Sequence, residues 1–182
     1  MKVLVTGGTG FVGKKVVDVL GKNHELNLLS RKEINKKNIF IGDLSDKDLL
    51  LEASKVEVVV HIAGITKGDV FKVNFEGTKN LVDVSLKNKV KKFIFISSYE
   101  ILNNSNYGKS KLMAEKYIKD SGIKYIIFRP SVIYGAESKN DINKLVMLMK
   151  KFRIALIPGD GNCKLQPLFV DDLAEVIMKS IN

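Results

Sequence analysis

Three apolar residues, Val3-Leu4-Val5, run straight into the octet Thr6-Gly7-Gly8-Thr9-Gly10-Phe11-Val12-Gly13. Nothing else in the chain constrains the fold as tightly. A short apolar run ending in glycines reads as a buried parallel strand. From Val12 onward, Val12, Val16, Val19 and Leu20 recur at helical spacing. A helix start beyond a strand presents unpaired N–H groups and a positive partial charge, which suits a phosphate. Glycines let the backbone turn sharply and let the anion approach it. Gly8-Thr9-Gly10-Phe11-Val12-Gly13 satisfies G-x-G-x-x-G, and Gly7 adds the register G-x-x-G-x-x-G. A glycine-rich structural turn is the plainer alternative. The strand before it and the helix after it favour the phosphate site.

The same alternation continues. Strand patterns fall at residues 26–29, 39–41, 56–62, 93–96, 125–128 and 154–157. Ser45 or Asp46 caps a short helix reaching Ala53. Longer helical patterns cover residues 70–88, 107–121, 142–151 and 170–181, the first with Val70, Val73, Gly77, Leu81 and Val84 on one stripe. This predicts an α/β fold, a Rossmann-type doubly wound parallel sheet with helices on both faces. A chain of 182 residues holds one core-bearing domain, so residues 1–182 are expected to form a single dinucleotide-binding unit. The irregular stretches 65–69, 103–106, 135–140 and 158–167 are the expected ligand-facing loops.

Thirty Lys and Arg against twenty Asp and Glu give a net charge of +10. The lysines are scattered, with pairs such as Lys14-Lys15 and Lys150-Lys151, and no nucleic-acid motif accompanies them. A solvated basic surface fits better than a nucleic-acid partner. Cys163 is the single cysteine, so no internal disulfide forms, which favours a reducing compartment. No apolar run reaches the length of a membrane span, and a cytoplasmic location is expected. His24 and His61 stand apart and build no metal site; His61 reads as a packed strand histidine.

Tyr107-Gly108-Lys109-Ser110-Lys111 sets a phenol and an ammonium four residues apart, on one helix face. A phenol of pKa near about 10 is a poor base at neutral pH, and a neighbouring ammonium would lower it. Together with the strand end Ile96-Ser97-Ser98 and the glycine turn, the chain resembles the short-chain dehydrogenase/reductase superfamily, in its extended epimerase/dehydratase-like branch. Further elements follow in that family's order: Gly42-Asp43-Leu44, His61-Ile62-Ala63-Gly64, Asn74-Phe75-Glu76-Gly77-Thr78, Arg129-Pro130 with Tyr134-Gly135, and Phe169-Val170-Asp171-Asp172-Leu173-Ala174.

The resemblance implies Tyr107 as catalytic acid/base, Lys111 on the nicotinamide ribose, and Ser98 rather than Ser97 on the reacting oxygen. It implies a cofactor held by Gly7, Thr9, Gly10, Phe11, Val12 and Gly13, with Arg31, Asp43 and Leu44 on the adenine side. Ala63, Gly64, Tyr107, Lys111 and Pro130 would complete that site. Glu100 falls where dehydratase members carry an acid, but Tyr99 replaces their neighbouring aspartate. Leu29-Ser30-Arg31-Lys32 stands where NAD-preferring members place an acid, so Arg31 favours NADP, with NAD left open by Glu33.

The implied function is an NAD(P)-dependent oxidoreductase or epimerase acting on a hydroxyl or carbonyl substrate, expected to be a sugar nucleotide. The alternative is a non-catalytic dinucleotide-binding sensor or assembly subunit. Residues 134–182 resemble the start of a truncated substrate-binding region, with little or no separate C-terminal domain. Family dimers pair the helices matching residues 70–88 and 107–121, which implies a homodimer; the stripe on the first helix would alternatively face the sheet.

Overall fold

The computed structural model of the chain describes residues 1–138, 141–153, 160, 162 and 164–181. Its elements are β1 (Lys2–Thr6), α1 (Phe11–Leu20), β2 (Glu25–Ser30), β3 (Ile39–Ile41), α2 (Lys47–Ala53) and β4 (Val58–His61). A π-helical turn (Phe71–Glu76) runs into α3 (Gly77–Lys87), then β5 (Lys92–Ile96), a 3₁₀ turn (Tyr99–Leu102), α4 (Asn106–Asp120) and β6 (Tyr125–Phe128). β7 (Ile133–Tyr134), α5 (Asp141–Phe152), β8 (Leu168–Phe169) and α6 (Val170–Ile181) follow. The strand expected at residues 154–157 and Cys163 lie outside the described residues.

β1 to β6 form one sheet in the order β3-β2-β1-β4-β5-β6, and every pairing in it is parallel. The order reverses at β1 and β4, and ligands of such sheets bind beyond the carboxyl ends of strands at that switch point. Thr6 pairs with His61 there, so both strands deliver their last side chains to one place.

Alternation along the strands splits the core into two layers. Val3, Val5, Val58, Val60, Ile94 and Ile96 face α1 and α6, where Val16, Leu20, Leu173 and Ile177 cover them. Leu4, Val59, Phe93 and Phe95 face the other way, under Leu50, Leu81, Ala114 and Ile118 of α2, α3 and α4. The doubly wound expectation thus holds. β7 and β8 add a separate two-stranded sheet, which leads into α6. Among the described residues no second domain follows.

Among the helices, one feature departs from the sequence expectation and one choice it left open is resolved. The helix expected over residues 70–88 begins as the π-helical turn, whose extra residue rotates the apolar stripe. Val73 is only half-buried, and Asn74 takes the inward position with no exposed surface. The rest of the stripe, Val70, Leu81 and Val84, is buried within the chain, with Leu81 and Val84 in its own core. α2 is capped by Asp46, not Ser45: its carboxylate accepts from the Leu49 N–H at 3.0 Å.

Candidate active site

The glycine octet folds as its sequence demands. Gly7 takes φ +75°, and a Cβ there would lie 2.6 Å from the Ala63 nitrogen on β4's outgoing loop. A side chain at Gly13 would collide with the Gly7 carbonyl. Gly10 precedes α1 with no side-chain cap, and Gly7 O accepts from its N–H at 3.0 Å. The first N–H groups of α1 are therefore left for a ligand.

A cleft of about 690 Å³ opens above this turn, within the range of roughly 300–1,000 Å³ usual for ligand sites. Its floor contains Gly7, Thr9, Gly10, Phe11, Val12 and Gly13. Arg31, Asp43 and Leu44 form one end, and Ala63 and Gly64 the middle. Eleven residues singled out from sequence thus meet in one cleft. Pro130 is not in its lining; its carbonyl accepts from the Tyr99 N–H at 2.9 Å.

The Arg31 end carries charge that the sequence reading missed. Lys72, from the π-helical turn, also lines the cleft. Asp43 accepts from the Ser45 N–H at 2.7 Å and from its hydroxyl at 2.5 Å. Those bonds, aided by the charges of Lys72 and Arg31, hold its carboxyl below the usual range. Asn80 donates to the Leu44 carbonyl at 3.0 Å and fixes this wall. Lys72 and Asn80 sit outside every recognisable motif, so only the folding of the π-helical turn and α3 onto the cleft reveals them.

At the other end, Ser98, Tyr107 and Lys111 do not line the cleft itself. Lys111 reaches it from behind: a Cβ at Gly64 would lie 3.1 Å from both its Nζ and Asn74 Oδ1. Lys111 is 3% exposed, donates to the Ile96 carbonyl at 3.0 Å, and lies 4.7 Å from the centre of the Phe95 ring. Burial pushes its pKa down to about 8, partly offset by the charge of Glu115. Glu115 has no exposed surface and receives a two-pronged bond from Arg129 at 2.9 and 2.6 Å. Burial alone would raise its carboxyl; the Arg129 guanidinium wins and holds it low.

Ser98 and Ser97 part company here. Ser97 is buried, while Ser98 is half-buried and acts to lower the Tyr107 phenol. The Glu100 N–H donates to Ser98 Oγ at 3.2 Å and aims it. The expected lowering of the Tyr107 phenol does not appear. Burial raises it, Glu100 adds to the rise, and Ser98 opposes it. The Lys111 ammonium is turned to the Ile96 carbonyl instead. Glu100 itself accepts from Asn103 at 3.0 Å and Ser105 at 3.3 Å, so it braces the loop ahead of α4.

Among the described residues no group of three or more His, Cys, Asp or Glu is placed to hold a metal, and no helix is long and apolar enough to cross a membrane.

Residues 3–182 match the model of the NAD dependent epimerase/dehydratase family. A Methanocaldococcus jannaschii protein provisionally called UDP-glucose 4-epimerase is 31% identical over 226 aligned positions, covering 99% of this chain and 73% of that one. The photosystem II assembly factor Ycf39 of Cyanophora paradoxa is 33% identical over 71% of this chain and 44% of its own. Among solved structures, the Bordetella bronchiseptica enzyme WbmH in complex with NAD+ superposes with a TM-score of 0.82 at 19% identity, over 99% of this chain and 72% of that one. Fold, cleft and sequence agree: the chain belongs to the NAD-dependent epimerase/dehydratase family.

Proposed function

We propose that the chain is an NAD(P)-dependent oxidoreductase or epimerase that binds NADP in the cleft and acts on a hydroxyl or carbonyl carbon of a sugar nucleotide. The observation that carries this reading is the convergence with the cleft at Gly64 of Lys111, from the helix that also carries Tyr107. The cradle fits a dinucleotide. Gly7 and Gly13 leave space that any side chain would fill, and the N-terminus of α1 offers free donors to a pyrophosphate. Arg31 and Lys72 at the opposite end suit a 2′-phosphate, with Arg31 able to bind it through two parallel N–H groups.

Bound there, a nicotinamide supplies hydride exchange with the substrate carbon. The protein's share is proton handling and orientation. Tyr107 gives or takes the proton of the reacting oxygen, and Ser98 Oγ orients that oxygen. Lys111, turned to the Ile96 carbonyl beside Gly64, supplies a charged donor for the ribose hydroxyls. The likeness to sugar-nucleotide enzymes supports the substrate class.

Titration with NADPH, NADP, NADH and NAD, followed by turnover of the wild type and Tyr107→Phe across a panel of nucleotide sugars, tests the proposal. Binding with Tyr107-dependent turnover supports it; a chain that binds no dinucleotide sinks it. The second reading, a non-catalytic dinucleotide-binding subunit, draws on the raised Tyr107 phenol and on the likeness to an assembly factor. It predicts tight binding and no turnover that depends on Tyr107.

A further inference from the structure

Thr6, His61, Asn74 and Thr78, none with any exposed surface, stand between the phosphate turn and the helix carrying Lys111. They form one line of hydrogen bonds. The Ala63 N–H donates to Thr6 Oγ1 at 3.3 Å, and Thr6 Oγ1 lies 2.6 Å from His61 Nδ1. His61 Nε2 lies 2.9 Å from Thr78 Oγ1, which donates to the Asn74 carbonyl at 2.6 Å.

Chemistry assigns every proton in this line. The Asn74 carbonyl only accepts, so the Thr78 hydroxyl proton is committed to it. Thr78 Oγ1 therefore accepts from His61, and Nε2 carries the hydrogen. A neutral ring then has Nδ1 bare, and it accepts the Thr6 hydroxyl proton. Burial, reinforced by the Lys111 charge, pushes the His61 pKa down to about 3, so the ring stays neutral. Each donor in the line has one acceptor, and all point the same way.

The line continues to the helix that carries Lys111 by two routes. The Asn74 side chain donates to Ile65 O at 2.9 Å and to Ser110 Oγ on α4 at 3.0 Å, and accepts from the Ile65 N–H at 2.8 Å. The His61 ring stacks on Phe95 with centroids 5.4 Å apart and planes at 23°, and Lys111 Nζ lies over that same Phe95 ring. An apolar side chain would suit this face of β4 as well as Val59 does. A buried imidazole is tolerated there only with both nitrogens satisfied.

We infer that His61 is a positioning residue, held as its neutral Nε2–H tautomer, that sets the register between the phosphate-binding turn and the Asn74–Lys111 end of the cleft. Its consequence for cofactor binding rests on the proposed function; its existence does not.

Nitrogen-15 spectra of the full chain without cofactor read the tautomer directly, with His24→Gln assigning the second histidine. The expected pattern is Nε2–H, with no titration between about pH 5 and 8. An Nδ1–H ring, or one titrating near about 6.5, overturns the inference. Thr78→Val removes one hydroxyl at nearly constant shape. It is expected to shift the His61 and Lys111 side-chain resonances and to weaken NADPH binding about tenfold, with Thr78→Ser restoring both. Unchanged resonances in Thr78→Val overturn the inference even if the variant is stable. His61→Phe keeps the stack on Phe95 without the nitrogens and is expected to move the Lys111 signals as Thr78→Val does; if it leaves them in place, the inference fails. Expected spectra with no binding of any dinucleotide would sink the proposed function and uphold the positioning role.

Discussion

Lys111 shows how one residue is shaped by its surroundings. Its ammonium is buried against Phe95 and the Ile96 carbonyl, and its charge is lost near pH 8 rather than in the usual lysine range. Under the proposed function, turnover is therefore expected to fall on the alkaline side with an apparent pKa near 8, because the ammonium is the stronger donor toward the ribose hydroxyls. A pH–rate profile checks this, and Glu115→Gln is expected to move that limb to lower pH. Under the proposed function, Tyr107→Phe removes the proton donor and is expected to cost about 10²–10⁴ in turnover with dinucleotide affinity retained. At the opposite end, Arg31→Ser is expected to weaken NADPH about tenfold and leave NADH nearly unchanged, as loss of one charge-assisted contact would. Calorimetric titration of both nucleotides separates the two.

At the scale of elements, α4 is held by contacts at both ends of its working face. Ser105 caps it by accepting from the Gly108 N–H at 3.0 Å. Ser105→Ala is expected to cost about 1 kcal/mol in urea unfolding, and to lower turnover more than affinity, since Tyr107 lies in that first turn. Further along, Glu115 ties α4 to the end of β6 through Arg129. The pair is asymmetric, with Glu115 fully buried and Arg129 45% exposed by side chain. Arg129→Ala leaves the buried carboxylate with Lys119 Nζ at 3.6 Å as its remaining ion-pair partner and is expected to cost about 3 kcal/mol, whereas Glu115→Gln leaves the guanidinium in water and costs less. Because the folded Glu115 carboxyl sits below its unfolded value, its contribution is complete at neutral pH. It is lost as pH falls from about 4.3 through the folded value. Urea midpoints measured across that window should converge for wild type and Arg129→Ala.

For the whole molecule, the surface outside the core bears on assembly. The α3 stripe faces the chain's own sheet, so a dimer through α3 and α4 would use the exposed Leu86, Leu112 and Met113. Light scattering is expected to give a dimer that Leu112→Glu with Met113→Glu dissociates; a monomeric wild type rejects it. The six strands of the main sheet, the phosphate turn and the Tyr107–Lys111 spacing were legible in the linear chain, because periodicity and glycine placement act over a few neighbouring residues; the two-residue strands β7 and β8 were not. The choice of Ser98 over Ser97 rests on a resemblance; the fold adds that Ser97 is buried at the strand end while Ser98 is half-buried. Asn74 entering the core, Lys72 joining Arg31, Glu115 pairing with Arg129 and His61 bridging Thr6 to Thr78 depend on residues 14 to 55 positions apart. Such partners meet only when parallel strands are laid side by side and helices close over them. The sequence alone determined which strands and helices form and where the phosphate turn falls, because those signals are local; the tertiary structure decided how the protons and charges around the cleft are arranged, because their partners are distant in the chain.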